Sequence, residues 1–256
     1  PVMDPELQKK MGETAVKVAK AANYDNVGTV EFLVDKDKNF YFLEVNTRIQ
    51  VEHPITEETT GVDLVKLQIA IANGEELPFN QEGLMQHVHS IECRIYAEDG
   101  ENNFIPSSGK IHYLKEPVGP GIRFDSGICK GQEISVHYDP VMAKLIVWGK
   151  DREEARKRMI HALKETVVLG VKTSIGFMLD VLEHTEFIKG NTFTDFIEKH
   201  MQDRADHHSG LLNPALTAAA IHHKIKPKAY GNGEAEGTGE RPSPWETIGE
   251  WEILKQ

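Results

Sequence analysis

Two apolar runs joined by a short polar connection, between Val27 and His53, restrict the fold of this chain more than any other feature. The first run, Val27-Gly-Thr-Val-Glu-Phe-Leu-Val34, is apolar and β-branched but carries one acid, Glu31. The connection Asp35-Lys-Asp-Lys-Asn39 has the length and polarity of a hairpin loop. The second run, Phe40-Tyr-Phe-Leu-Glu-Val-Asn-Thr-Arg-Ile-Gln-Val-Glu-His53, alternates. In extended backbone, successive side chains point to opposite faces. Leu43, Val45, Thr47, Ile49 and Val51 then share one side, expected to bury against a core. Glu44, Asn46, Arg48, Gln50 and Glu52 share the other. A half-buried strand with a solvated polar face alternates in the same way, so the spacing leaves two readings open. In the second, the polar row supplies oxygen ligands for a divalent cation and a guanidinium for a small oxyanion.

Glu31 bears on that choice. On a hairpin it lies on a strand beside Glu44, and two acids in apolar strands are costly unless a cation meets them. A shared Mg²⁺ that also holds nucleotide phosphates accounts for both.

Glu-Phe-Leu, a hairpin, and then Leu43-Glu-Val-Asn-Thr-Arg-Ile-Gln-Val-Glu-His-Pro54 resemble the biotin carboxylase family of the ATP-grasp superfamily. The acid pair and Glu-x-Asn are shared by many ATP-grasp ligases, whereas Arg48-Ile-Gln-Val-Glu-His53 is similar to biotin-dependent carboxylases in particular. The likeness runs over about residues 1–203. It implies ATP-dependent carboxylation of biotin: bicarbonate attacks the γ-phosphate to give carboxyphosphate, which releases CO₂ beside biotin. By this resemblance Glu31, Glu44 and Asn46 hold Mg²⁺ (or Mn²⁺) on the ATP phosphates. Leu33 and Leu43, joined by Val171, flank adenine, so Glu31, Leu33, Leu43 and Glu44 form the nucleotide side. Arg48, Gln50 and the Val51 backbone hold bicarbonate, and Glu52 is the base that takes its proton. Read from the residues alone, Glu52 is equally an ion-pair partner for Arg48.

Arg123 lies in Gly119-Pro-Gly-Ile-Arg-Phe-Asp-Ser126, where two glycines allow a tight turn. A lone arginine after a turn is ordinarily a surface residue. The resemblance instead makes Arg123 the group that binds biotin and stabilises its enolate-like oxygen. In Tyr138-Asp-Pro-Val-Met-Ala-Lys144, which also matches, Asp139 and Lys144 are expected to be structural partners, and His53 to stand behind the site.

The implied fold class is α+β. Residues 1–84 are the C-terminal part of an ATP-grasp domain with a mixed or antiparallel sheet, and 85–203 a biotin carboxylase C-terminal domain. Residues 204–242 read as linker and 243–256 as the start of a following domain. Along the chain, Asp4 and Pro5 start a helix carrying Leu7, Met11, Ala15, Val18 and Ala22 at helical spacing. Pro54 to Thr60 is expected as a loop, then a helix over 62–72 stopped by Asn73-Gly74. Strands are expected from His87 and over 110–114, 121–124, 134–137 and 141–148. Asp151 caps a helix with Ala155, Met159, Ala162 and Leu163 inward. Further helices are expected near 174–183, 194–200 and 211–220, before the glycine-rich stretch 231–239.

A net charge of −11 opposes general binding to nucleic acid or anionic membrane, and no apolar run reaches the about eighteen residues of a span. With only Cys93 and Cys129, no disulfide scaffold is implied, which fits a reducing compartment: cytoplasm, or mitochondrial matrix in a eukaryote. None of the twelve histidines has convincing companions for zinc. The resemblance further implies a biotin carboxyl carrier domain, a homo-oligomeric parent enzyme and a carboxyltransferase subunit, with propionyl-, acetyl- and methylcrotonyl-CoA open as acceptors. The family's N-terminal domain and lysine-bearing lid are not in the sequence, so the chain alone is expected to be inactive. Two rivals are another ligase of carbamoyl-phosphate synthase type, opposed by Arg48–His53, and a non-catalytic assembly module.

Overall fold

The computed structural model describes residues 2–202, 216–218 and 220–221. Pro1–Arg204 form one compact unit. The expected linker and following domain lie outside the described residues, apart from helical backbone at 216–218 and 220–221 within the helix expected at 211–220.

Helix α1 (Pro5–Ala21) begins as its cap chemistry dictates: the Asp4 carboxylate accepts from the Leu7 amide at 2.8 Å, and Pro5 occupies the first turn. Leu7 is fully buried, Met11, Ala15 and Val18 half-buried, and Ala22 exposed. Strands β1 (Thr29–Val34) and β2 (Phe40–Asn46) form the expected antiparallel hairpin. Glu31 pairs with Glu44, but Phe32 faces Phe42, which leaves Leu43 as the extra residue of a β-bulge.

Three expectations fail here. The alternating run does not continue as a strand: β1 begins at Thr29, opposite Asn46, so among the described residues no partner strand continues the ladder beyond Asn46. Residues 54–60 are not a loop but most of helix α2 (His53–Thr60), with Pro54 in its first turn and Gly61 closing it at φ 74°. Nor is the apolar row a core, since Leu43 on the hairpin is 51% and Val51 beyond it 38% exposed. Helix α3 (Leu64–Ala72) follows, capped by Asp63 on the Lys66 amide and ended by Asn73 and Gly74.

The core lies in the second half. Strands β3 (His89–Tyr96), β8 (Ile122–Ser126) and β10 (Val141–Gly149) make an antiparallel sheet in the order β3-β10-β8. Short ribbons surround it: β4 (Glu98–Asp99) with β5 (Ile105–Pro106), β6 (Gly109–Lys110) with β9 (Glu133–Ile134), and β7 (Tyr113–Lys115) with β11 (Val167–Leu169). The strands expected at 110–114 and 134–137 are therefore broken or shifted. Helix α4 (Arg152–Glu165) is capped by Asp151 on the Glu154 amide, and α5 (Ile175–Glu183), α6 (Thr185–Lys189) and α7 (Phe196–His200) follow. Ala155, Met159, Ala162 and Leu163 are all 0% exposed, the inner face read from their spacing. Met159, Ala162 and Leu163 pack with Ile95, Leu145 and Val147 in one cluster, and each large side chain there contributes about 1.5–3 kcal/mol by burial.

Because the strand period is two, the apolar face of this sheet leaves the other face polar. Cross-strand register sets Glu92 and Arg123 on either side of Ile146, and Arg94 and Asp125 on either side of Lys144. Helix α2 packs against β3 and β10, on this polar face.

Candidate active site

Two groups of polar side chains occupy the first half and the polar face of the sheet. In the first, the hairpin register brings Glu31 and Glu44 directly opposite each other. The Asn46 amide donates to Glu31 Oε1 at 2.7 Å and lies 3.4 Å from Glu44 Oε1. Gln50, after the strand has ended, turns back to donate to the same Glu31 oxygen at 3.0 Å. Glu31, Asn46 and Gln50 are half-buried and Glu44 is exposed. Exposed Leu33 and Leu43 lie on the same hairpin, whereas Val171 packs against the C-terminal core.

The second group is organised by Arg123. Its Nε and Nη2 donate to the two oxygens of Asp125 at 2.9 and 3.0 Å. Its Nη1 donates to Glu57 Oε2 at 2.8 Å and Glu58 Oε1 at 3.1 Å, both from α2. Gly121 permits the turn before it: φ is +73°, and a Cβ there would lie 2.9 Å from the Trp148 carbonyl. The hydrogen bonds to Asp125, against the opposing effect of burial and with help from Glu57 and Glu58, hold the guanidinium firmly charged. Burial would raise the Asp125 carboxyl, but hydrogen bonds and charge from Arg123, with Lys144, outweigh it and hold it low.

The segment 47–53 connects the two groups. Arg48 donates to the Ile49 carbonyl at 3.2 Å and makes no ion pair among the described residues. Glu52 does not pair with it; its carboxylate meets Arg94 of β3 instead. The Lys144 ammonium donates to the Val51 carbonyl at 2.9 Å and stands 3.6 Å from Asp125. His53 Nδ1 is 2.8 Å from the Gln50 carbonyl, and its Nε2 is 3.9 Å from Glu57. Asp139 accepts from the Val141 amide at 3.0 Å, a turn contact. Lys144 and Asp139 thus make contacts of a kind that hold the segment in place.

Residues 92–199 match the Biotin carboxylase C-terminal domain, and residues 1–80 the Carbamoyl-phosphate synthase L chain, ATP binding domain. The alpha chain of mitochondrial methylcrotonoyl-CoA carboxylase from Rattus norvegicus is 43% identical over 246 residues, covering 96% of this chain and 34% of its own. Biotin carboxylase of Nostoc sp. is 47% identical over 199 residues, 78% of this chain and 44% of its own. The chain belongs to the biotin carboxylase family. Among solved structures, the biotin carboxylase β-γ-ATP complex from Campylobacter jejuni superposes with a TM-score of 0.74 at 41% identity, covering 77% of this chain and 44% of that one. The biotin carboxylase domain of Hydrogenobacter thermophilus 2-oxoglutarate carboxylase, solved with MgADP, ADP and bicarbonate, gives 0.77 at 44% identity, covering 80% and 46%. This α+β chain has their ATP-grasp biotin carboxylase fold, and it spans less than half the length of these relatives.

Of the residues singled out in the sequence, Glu31, Glu44, Asn46 and Gln50 come together. Arg48 and Glu52 follow on the irregular segment, but on different partners. Arg123 belongs to the sheet group. Four further participants had not been read from the sequence: Glu57 and Glu58, Asp125 and Arg94. For the last two a signal was present, in charged residues that alternate with apolar ones along β3 and β8.

Proposed function

We propose that this chain forms the metal- and bicarbonate-binding side of a biotin carboxylase. The enzyme would use ATP and bicarbonate to carboxylate biotin on a carrier domain through carboxyphosphate, the first half-reaction of an acyl-CoA carboxylase. The observation that carries this reading is the direct pairing of Glu31 with Glu44, with Asn46 and Gln50 drawn onto Glu31. The donor set fits Mg²⁺: two carboxylates and an amide oxygen are hard ligands, and so few protein ligands leave room for phosphate oxygens and water. Among the described residues no group of three acids, histidines or cysteines converges, so the protein alone would not satisfy a cation there. When bound, Mg²⁺ (or Mn²⁺) neutralises charge on the phosphates.

The rest of the chemistry falls to side chains. Arg48, free of ion pairs among the described residues, and Gln50, with the Val51 backbone, bind bicarbonate. Glu52 accepts its proton. Arg123, fixed by three carboxylates, presents a charged guanidinium to the enolate-like oxygen of biotin; four hydrogen bonds hold it in place for an electrostatic role. Leu33 and Leu43, exposed on the hairpin, supply an apolar wall for adenine. In this reading 1–84 and 85–203 are the two functional segments. The partners are a biotin carboxyl carrier domain, further copies of the enzyme and a carboxyltransferase subunit, in cytoplasm or mitochondrial matrix.

Mn²⁺ binding to the chain 1–256, followed by electron paramagnetic resonance, tests the metal site without catalysis. Binding of Mn²⁺ that Glu44→Gln weakens about tenfold or more, at least the scale on which loss of a ligand's supporting partner lowers metal affinity, supports it. Equal binding in the two proteins overturns it.

A further inference from the structure

Glu92 has no part in the proposed reaction, and its surroundings are unusual. It sits in the middle of β3 opposite Ile146, on the polar face under α2. Both its carboxylate oxygens are buried, and neither has a hydrogen-bond donor among the described residues. Buried acids normally have such donors, because leaving them unmade is costly. Cations are close, yet each is committed elsewhere. Arg94, two residues along the same strand, is on Glu52 and beside the Tyr96 hydroxyl, and Lys144 is on the Val51 carbonyl and Asp125. Arg123 on β8 is taken by Asp125, Glu57 and Glu58, and His53 by the Gln50 carbonyl.

We propose that Glu92 is a positioning residue for Glu52, acting as a second carboxylate acceptor of the Arg94 guanidinium. Residues two apart on a strand lie about 6.6 Å from each other on one face, within reach of an arginine side chain. Burial pushes the Glu92 carboxyl up to about 7, against the attraction of Lys144 and Arg94 and with Glu52 and Asp125 adding to the rise. It therefore changes charge near neutrality. Neutral Glu92 offers Arg94 little, and the guanidinium stays on Glu52. Charged Glu92 draws Arg94 toward itself and leaves Glu52 free to accept the bicarbonate proton. Glu52's role as that base rests on the proposed function; the sharing of Arg94 does not.

The test is the guanidinium resonances of Arg94 in ¹⁵N-arginine-labelled chain 1–256, followed from about pH 5.5 to about pH 8.5, on either side of the Glu92 transition. The resonances are expected to move with a midpoint near neutrality, and Glu92→Gln to abolish that movement. Should the glutamine variant fail to fold, Glu92→Asp keeps a carboxyl on a shorter arm and is expected to displace the midpoint. Arg94 resonances that do not move, or that move identically in the variants, overturn the proposal. In the full-length protein, the bicarbonate-dependent rate is expected to rise through neutral pH. Glu92→Gln should lose that rise and run roughly tenfold slower at alkaline pH, with the KM for ATP unchanged. An unchanged pH profile in an active Glu92→Gln enzyme overturns the positioning role. Absence of bicarbonate-dependent activity in the parent protein counts against the proposed function, and the resonances still decide the sharing of Arg94.

Discussion

Replacing Glu92 by glutamine should make the chain more stable at alkaline pH and leave it nearly unchanged in acid. The carboxyl moves from an ordinary 4.5 to about 7 on folding, chiefly through burial. Between those values the folded protein holds a proton that the unfolded chain has released, so stability falls as pH rises from about 4.5 to about 7 and is flat above. The span corresponds to about 3 kcal/mol at most. Glu92 as a whole is only partly buried, so we expect about 2 kcal/mol after allowing for solvent screening. Glutamine keeps the volume and a polar end but never carries the charge. Urea unfolding of the parent chain and Glu92→Gln at about pH 5 and pH 8 measures the effect. The difference between the two proteins should be small at the lower pH and favour the variant by about 2 kcal/mol at the higher one. Parallel stability curves for the two proteins would refute the reasoning.

Three further outcomes are expected. In the full-length protein, Glu44→Gln should raise the Mg²⁺ requirement for ATP cleavage; unchanged Mg²⁺ dependence would remove Glu44 from the metal site. Arg48→Ala should leave ATP binding intact while weakening use of bicarbonate by on the order of 2–4 kcal/mol, seen as a loss in kcat/KM for bicarbonate alone. Leu163→Ala, at a fully buried position of α4, should destabilise the chain by about 2–5 kcal/mol in urea unfolding, whereas Leu43→Ala on the exposed hairpin should cost far less.

The elements that could be read from sequence are those whose signals are local. The hairpin followed from two apolar runs and a polar connection, and α4 from an aspartate cap with apolar residues at helical spacing. The alternation after Asn46 misled because period two describes a strand only where a partner strand exists, and β1 begins at Thr29, opposite Asn46. For α2, Pro54 and Gly61 were legible start and stop signals. The intervening Thr-Glu-Glu-Thr-Thr has weak helix propensity in its threonines, and the helix is held by contacts far along the chain. Glu57 meets Arg123 across 66 residues and also takes the Leu64 amide. The same distance in sequence hid the partner of Glu52: Arg48 is its neighbour in the chain, but β3 brings Arg94 to it from 42 residues away. The place of the core was also hidden, since Leu43 and Val51 have the composition of a buried face but among the described residues no element packs over them closely enough to bury them.

The most direct test of the proposed function is transfer of label from radioactive bicarbonate to biotin by the full-length protein with Mg²⁺ and ATP, with phosphate release measured alongside. Label in biotin that matches the phosphate released, and that is lost in Glu52→Gln, is the predicted result. Phosphate release indifferent to biotin, with no label transferred, would contradict the account.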